Sequence, residues 1–97
     1  MYLITAQFPD DERYGLTSQM RRAVVSVPSN ISEGAARGSQ KDFIRFLFIA
    51  RGSLSEIETQ LLIAQRLGYI QDVGTTIELI NQVSGLLGGL IRHLQNR

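Results

Sequence analysis

The 97-residue chain carries ten basic and nine acidic side chains, for a formal net charge of +1, and 43% of its residues are hydrophobic. This composition excludes an intrinsically disordered chain, and the length allows one domain, which we predict to be a single helical unit over residues 1–97. The sequence contains no cysteine, which excludes disulfides and thiolate metal sites, so stability must come from packing or from assembly.

The first part of the chain consists of a short stub followed by a long helical segment. The stub, residues 1–7, ends before Pro9, and Pro9 with the three acids after it suits the first turn of a new helix. From about Leu16 to Ala36, apolar residues recur on one side at about 100° per residue. Pro28 predicts a kink or a local break, because it removes the hydrogen bond to the Val24 carbonyl. The apolar side consists of Leu16, Met20, Ala23, Val24, Val27 and Ile31.

Two further helical segments follow. Ser39 and Asp42 resemble a capping box with Asp in place of Glu, and they open a segment that Gly68 closes. The last segment runs from about Thr75 to Gln95, with Asp72 or Thr75 near its cap. The earlier of the two has the alternating four- and three-residue spacing of antiparallel bundle helices, in Phe43, Leu47, Ala50, Leu54, Ile57, Leu61 and Ala64. The apolar face of the last segment consists of Ile77, Ile80, Val83, Leu86, Leu87, Leu90, Ile91 and Leu94.

These elements predict an all-α fold, an antiparallel up-down helical bundle. No stretch shows the two-residue alternation of a half-buried strand, and the short connections favour antiparallel neighbours. The longest wholly apolar run, Phe46 to Ala50, is too short to cross a bilayer. Residues 1–7 lack the basic charge of a secretory signal. We therefore expect a cytoplasmic protein with no membrane partner.

A polar stripe lies beside the apolar face of each of the first two long segments. One interpretation is an ordinary solvated flank, in which Arg–Glu pairs contribute at most about 1 kcal/mol. The other, which we favour, is a partly buried network in which short Ser and Gly side chains allow close approach and ion pairs fix the register of helices or subunits. The first stripe is Arg22, Ser26, Asn30, Glu33 and Arg37, and the second is Arg45, Gly52, Ser53, Glu56 and Gln60.

Three apolar residues, Ile44, Phe48 and Leu62, are predicted to project away from the core side of the second long segment. Lone surface hydrophobics are common, but two of these lie one turn apart and the third lies beyond them. We therefore predict an exposed apolar patch that serves as an interface in a homo-oligomer. In the last segment, Gly85 and Gly89 resemble a close-packing pair but lie on its polar side, so we favour a surface that tolerates glycine.

Positive charge is concentrated between residues 21 and 51, where six basic side chains stand against two acidic ones. Clustered Arg and Lys are what phosphate binding requires. We expect Arg22 and Arg45 to be occupied by the stripe glutamates, which leaves four nucleic-acid-binding candidates. These are Arg21, Arg37, Lys41 and Arg51.

The sequence offers no catalytic constellation. His93, the single histidine, lies near a helix end with no Ser–acid pair on its face. Carboxylate-bridged metal sites in bundles need Glu-x-x-His pairs, which do not occur, and no glycine-rich loop follows a strand. We therefore predict a protein that is not an enzyme, with no catalytic residue, cofactor or metal.

A set of short motifs spans nearly the whole chain: Phe8-Pro9 through Glu12, Tyr14-Gly15-Leu16-Thr17, Gln19, Arg21-Arg22-Ala23, Ser26-Val27, Asn30-Ile31, Glu33-Gly34, Arg37, Phe43-Ile44-Arg45-Phe46-Leu47, Ala50-Arg51-Gly52-Ser53-Leu54 and Glu56. In this combination the chain resembles the four-helix-bundle protein family that is encoded in intervening sequences of bacterial large-subunit ribosomal RNA genes. Relatives of that family include the accessory variability proteins of diversity-generating retroelements.

The resemblance implies a ring-like homopentamer with a basic surface that engages nucleic acid and, in retroelement relatives, a reverse-transcriptase partner. Met1 falls near the end of the family's first helix, so most of that helix is missing from the sequence: either the true start lies upstream, or the first helix is largely truncated. In the second case we expect assembly to cover more apolar surface. The positions that match the family's recurrent polar residues are Arg21, Arg22, Asn30, Glu33, Arg37, Arg45, Ser53 and Glu56.

The leading hypothesis is a non-enzymatic, oligomeric bundle that presents an Arg-rich surface to RNA or DNA. The alternative is a protein-binding adaptor or scaffold whose polar stripes serve assembly only. Salt dependence distinguishes the two, because binding to phosphates weakens steeply as ionic strength rises.

Overall fold

Three long helices make up most of the molecule, for which a computed structural model describes all residues from 1 to 97. A short helix, α1 (Tyr2–Thr5), precedes a 3-10 turn at Asp10–Glu12. The long helices are α2 (Leu16–Ala36), α3 (Gln40–Arg66) and α4 (Gly74–Gln95), and the chain contains no strand. The prediction of an all-α helical bundle is therefore confirmed. No helix combines the length and the apolar character needed to span a bilayer.

A side-chain cap at Ser39 marks the start of α3, and an aspartate just before the N-cap residue Val73 contacts the start of α4. Ser39 Oγ accepts a hydrogen bond from the backbone N–H of Asp42 at 3.0 Å, the contact that the capping pattern predicts. Before α4, Asp72 Oδ1 accepts a hydrogen bond from the N–H of Gly74 at 2.9 Å. Of the two predicted candidates, Asp72 and not Thr75 therefore provides the side chain that accepts a hydrogen bond from the first backbone N–H of α4.

Glycines in the left-handed conformation explain where α2 and α3 end. After α3, Gly68 has φ +81° and the N–H of Tyr69 donates to the Ala64 carbonyl at 2.9 Å. The N–H of Gly68 donates to Gln65, which completes a Schellman motif. Gly38, at φ +77°, reverses the chain after α2 in the same conformation. The stop after α3 falls at Gly68, where the sequence predicts it.

Pro28 does not interrupt α2. The helix is continuous from Leu16 to Ala36, so the possibility of a local break is wrong. Contacts with α3 hold α2 on both sides of the proline, through Ser26 one half-turn before it and through Gly34 further along. Packing therefore compensates for the hydrogen bond that proline removes.

Helix α3 lies between the other two long helices and supplies most of the core. Its apolar positions from Leu47 to Ala64 are buried as predicted. Helices α2 and α4 both pack against α3, but they do not approach one another. The apolar side of α2 is consequently covered only in part. Met20 and Ala23 are buried, whereas four other residues of this side are only partly buried: Leu16, Val24, Val27 and Ile31.

Two contacts set how the outer helices lie on α3. Gln40, at the start of α3, donates its side-chain N–H to the carbonyl of Leu94 near the end of α4, which shows that these helices are antiparallel. On the other side, Gly34 of α2 packs against Phe43 and Phe46 of α3. A Cβ atom on Gly34 would lie only 2.7 Å from the Cβ of Phe46. The absence of a side chain at residue 34 is therefore what lets α2 and α3 come together here.

We predict that Gly34→Ala lowers the free energy of unfolding by about 1–3 kcal/mol, because the added methyl group forces α2 away from α3. Urea denaturation followed by circular dichroism measures the change. The matched control is Gly85→Ala in α4, where an added Cβ meets no atom within 4 Å. This control should gain roughly 0.5–1 kcal/mol from helix propensity alone. Equal stabilisation of both variants would contradict the proposed close approach.

Candidate nucleic-acid interface

The two polar stripes face each other where α2 crosses α3. The hydroxyl oxygens of Ser26 and Ser53 lie 2.9 Å apart in a hydrogen bond between the helices. Asn30 donates its side-chain N–H to both the carbonyl oxygen and the hydroxyl oxygen of Ser26, each at 2.8 Å. The small serines allow this contact, whereas Gly52 faces open space. The part-buried centre of the network is therefore uncharged.

The charged members of the stripes pair differently from our expectation. Arg37 donates from Nε and Nη2 to Glu33 at 3.0 and 2.8 Å, so Glu33 is occupied by Arg37 and not by Arg22. Arg45 lies 3.8 Å from Asp42 instead of pairing with a stripe glutamate. These predicted pairings were wrong because residues four or three apart on one helix meet before residues on separate helices do. Both ion pairs are exposed, and such pairs contribute roughly 0.2–1 kcal/mol.

Arg37 is also not the free charge that we predicted. Besides its bond to Glu33, its guanidinium lies 5.1 Å from the ring centroid of Phe46. Arg45 lies 4.5 Å from the same centroid. The buried Phe46 thus holds two arginines that already have carboxylate partners, which removes Arg37 from the set of unpaired cations.

The other stripe residues line an open cleft between α2 and α3. Arg22 lines it together with Ser26, Ser53 and Glu56, but Arg22 forms no ion pair. Glu56 accepts a hydrogen bond from the side chain of Gln60 at 3.2 Å. Arg22 is therefore an unpaired cation, although its position in the first stripe predicts an ion pair within the polar network.

Three of the predicted nucleic-acid-binding residues lack a carboxylate partner, but they do not lie together. Arg21 is partly buried and donates its Nε–H to Thr5 Oγ1 at 2.9 Å. Lys41 is exposed in the first turn of α3, and Arg51 is exposed near the middle of the same helix. The structure therefore divides these cations among separate surfaces.

Arg51 has a neighbour that the sequence did not suggest. The guanidinium of Arg51 on α3 and that of Arg92 on α4 each lie 3.5 Å from the position that a Cβ on Gly88 would occupy. Gly88 is buried, whereas Gly85 faces open space, as favoured for a tolerant surface. Neither arginine forms an ion pair. The sequence does not indicate this pair, because only the packing of α4 on α3 brings residues 51 and 92 together.

The exposed apolar residues of α3 differ in part from the predicted patch. Phe48 and Leu62 are exposed to 47% and 48%, as their positions on α3 predicted. Ile44 is partly buried against the core, so its predicted projection away from the core is wrong. Its place one turn before Leu47 directs it toward the side that α3 buries. Neighbouring apolar side chains that are also exposed are Ile49, Ile63 and Leu67.

A contact with Tyr69 anchors the N-terminal segment beside α2. Tyr69 donates its hydroxyl hydrogen to Glu12 Oε2 at 2.7 Å, and its ring lies 5.6 Å from that of the buried Phe8. The hydrogen bond to Glu12 raises the pKa of Tyr69, and desolvation and the negative charges of Glu12 and Asp11 raise it further. This contact positions the segment that packs against Arg21.

Comparison with known families decides which family this sequence falls in. The model of the 23S rRNA-intervening sequence protein family matches residues 1–89. The chain belongs to this family. A search of curated proteins finds no match. The family takes its name from an intervening sequence of ribosomal RNA, and it is not a known enzyme family.

We predict that the hydrogen bond between Tyr69 and Glu12 stabilises this intervening-sequence protein up to about pH 10, and that this stabilisation is lost at higher pH. The pKa of Tyr69 is raised in the folded state, so its contribution is fully present below the ordinary tyrosine pKa near 10 and vanishes as pH rises through the folded-state pKa. Urea denaturation at several pH values compares the parent with Tyr69→Phe. The stability difference should be constant from neutral pH to about pH 10 and shrink above it. A difference that grows with pH would contradict the assignment.

Proposed function

We propose that this protein binds RNA or DNA through arginines that its fold leaves unpaired, that several copies act together, and that it catalyses no reaction. Of its ten basic side chains, ion pairs form only at Arg37 and Arg45. The family's association with an intervening sequence of 23S rRNA is compatible with a nucleic-acid ligand.

The observation that most supports this proposal is the convergence of Arg51 and Arg92 over Gly88. Two guanidinium groups side by side repel each other, and no carboxylate offsets the repulsion. A phosphate group would offset it, because each guanidinium presents several N–H donors in a planar fork that matches phosphate oxygens. Both guanidinium groups lie at ordinary van der Waals distance from the position of a Cβ on Gly88, so the two arginines approach the same point from separate helices. The pair therefore has the chemistry of a site for a backbone phosphate.

Exposed apolar residues support the proposal that copies of the chain associate. Phe48 and Leu62 on α3 are about half exposed, and Leu86 on α4 is 74% exposed. Large apolar side chains left this exposed would be covered if copies of the chain packed against one another. Association would also align the unpaired arginines of several copies, and clustered cations strengthen binding to a polyanion. The polar stripes between α2 and α3 then serve to fix the helices.

We predict that the parent binds labelled duplex RNA or DNA with an affinity that falls steeply between low and moderate salt. Arg51→Gln combined with Arg92→Gln should flatten the slope of log affinity against log salt by about 1 for each phosphate that the variant no longer binds. Fluorescence anisotropy over a salt series measures both quantities. The matched control, Arg66→Gln with Arg97→Gln, makes the same charge change at two other exposed positions.

The control should retain most of the parental slope. If the parent binds no single-stranded or double-stranded nucleic acid even at low salt, the proposal is wrong, and the alternative of an adaptor whose polar residues serve assembly takes its place. If the slope falls equally in both double variants, the Arg51–Arg92 pair has no special role.

A further inference from the structure

An open cleft of about 430 Å³ lies between the N-terminal segment and the first half of α2. It is distinct from the Arg51–Arg92 pair, which lies on α3 and α4. The residues that give the cleft its chemistry are Tyr2, Arg13, Tyr14, Ser18, Arg21 and Arg22. No acidic side chain lines it, and none of its three arginines forms an ion pair. The cleft is therefore both positively charged and aromatic.

The two tyrosines expose an unusual amount of ring surface. Tyr14 is 88% exposed and Tyr2 is 53% exposed, and neither hydroxyl group forms a hydrogen bond with another residue. Solvent-exposed aromatic rings beside a positive groove are the elements that bind unpaired bases, because every base presents a flat face that stacks on an aromatic ring. A core role for these two side chains does not fit their exposure.

Each tyrosine is accompanied by an arginine. The guanidinium of Arg21 lies 4.7 Å from the ring centroid of Tyr2, and that of Arg13 lies 5.9 Å from the ring centroid of Tyr14. Arg21 is held in place by its bond to the buried Thr5. Because neutral groups hold Arg21, its full positive charge stays available to a phosphate. A stacking surface and a phosphate-binding charge thus occur next to each other twice in one cleft.

We propose that this cleft binds a single-stranded stretch of nucleic acid, with bases stacked on Tyr2 and Tyr14 and backbone phosphates bound by Arg13, Arg21 and Arg22. This inference rests on the proposed function and adds the form of the ligand. A duplex does not fit the cleft equally well, because its base faces are stacked on one another and cannot reach the tyrosines. The cleft therefore selects unpaired strands.

The test measures binding of a fluorescein-labelled single-stranded RNA of about twelve nucleotides, and of the same strand annealed to its complement, by anisotropy at low salt. Removal of one aromatic ring on which a base stacks weakens binding by about tenfold. Tyr14→Ala should therefore weaken single-strand binding by about tenfold and change duplex binding by less than about threefold. Tyr14→Phe, which keeps the ring, should bind as the parent does. Circular dichroism establishes that each variant keeps its helices.

Arg22→Gln tests the charge of the cleft, and Arg97→Gln, an exposed arginine at the far end of α4, is its matched control. Arg22→Gln should weaken single-strand binding and lower its salt dependence, and the control should not. Parental single-strand affinity in Tyr14→Ala would overturn the stacking proposal while leaving the proposed function intact. If Arg22→Gln alone loses affinity, the cleft is only a general anion site. Failure of the parent to bind any nucleic acid would overturn both.

Discussion

Helix α3 is the one element that contacts both of the other long helices, and the rest of the structure depends on that arrangement. Its apolar side is buried from Leu47 to Ala64, and α2 reaches it closely because residue 34 has no side chain. Because α2 and α4 do not contact each other, the side of the core that lies between them is not covered by another helix. Part of the apolar side of α2 stays open, and Leu86 of α4 faces solvent. A chain of this size has little stability to spare, so burying that surface would stabilise the fold, which is the physical basis of the proposed association.

The same arrangement determines which charges are available. Within α2 and α3, Arg37 and Arg45 meet acidic residues one turn away and also pack on Phe46. Arg51 and Arg21 instead contact residues of other elements, and none of those contacts is with a carboxylate. Arg51 meets Arg92 across α3 and α4, and Arg21 meets Thr5 and Tyr2 from the N-terminal segment. The net charge of the chain is only +1, but the packing of the helices places several unpaired arginines next to one another. Positive charge is therefore locally concentrated.

Local features of the fold could be predicted from the sequence, and features that depend on helix packing could not. The ends of α2 and α3 follow from Gly38, Ser39 and Gly68, whose effects act within a few residues. The ion pairs of Arg37 and Arg45 are also local, since their partners lie four and three residues away in the chain. The proximity of Arg51 to Arg92 and the close approach of α2 to α3 at Gly34 depend instead on how the helices rotate and cross, which the apolar spacing does not determine.

The candidate site shows the same division. Arg51 was identified from its charge, but Arg92 is far away in the chain and becomes its neighbour only through packing. Tyr2, Arg13 and Tyr14 lie in a segment with no helical periodicity to orient them. The contact between Glu12 and Tyr69, residues that are also distant in sequence, helps to place that segment against α2. Arg13 and Tyr14 are adjacent in the sequence, but only the fold places them in one cleft with Arg21 and Arg22.

The most direct test of this account is the mass of the native protein, measured by sedimentation velocity over a concentration range that extends from below to above the micromolar range. Because one copy leaves apolar side chains on all three long helices exposed, we predict a defined assembly of several copies that keeps the full helical content of the fold. A stable single-copy species with full helicity at every concentration would contradict the claim that assembly covers the open side of the core.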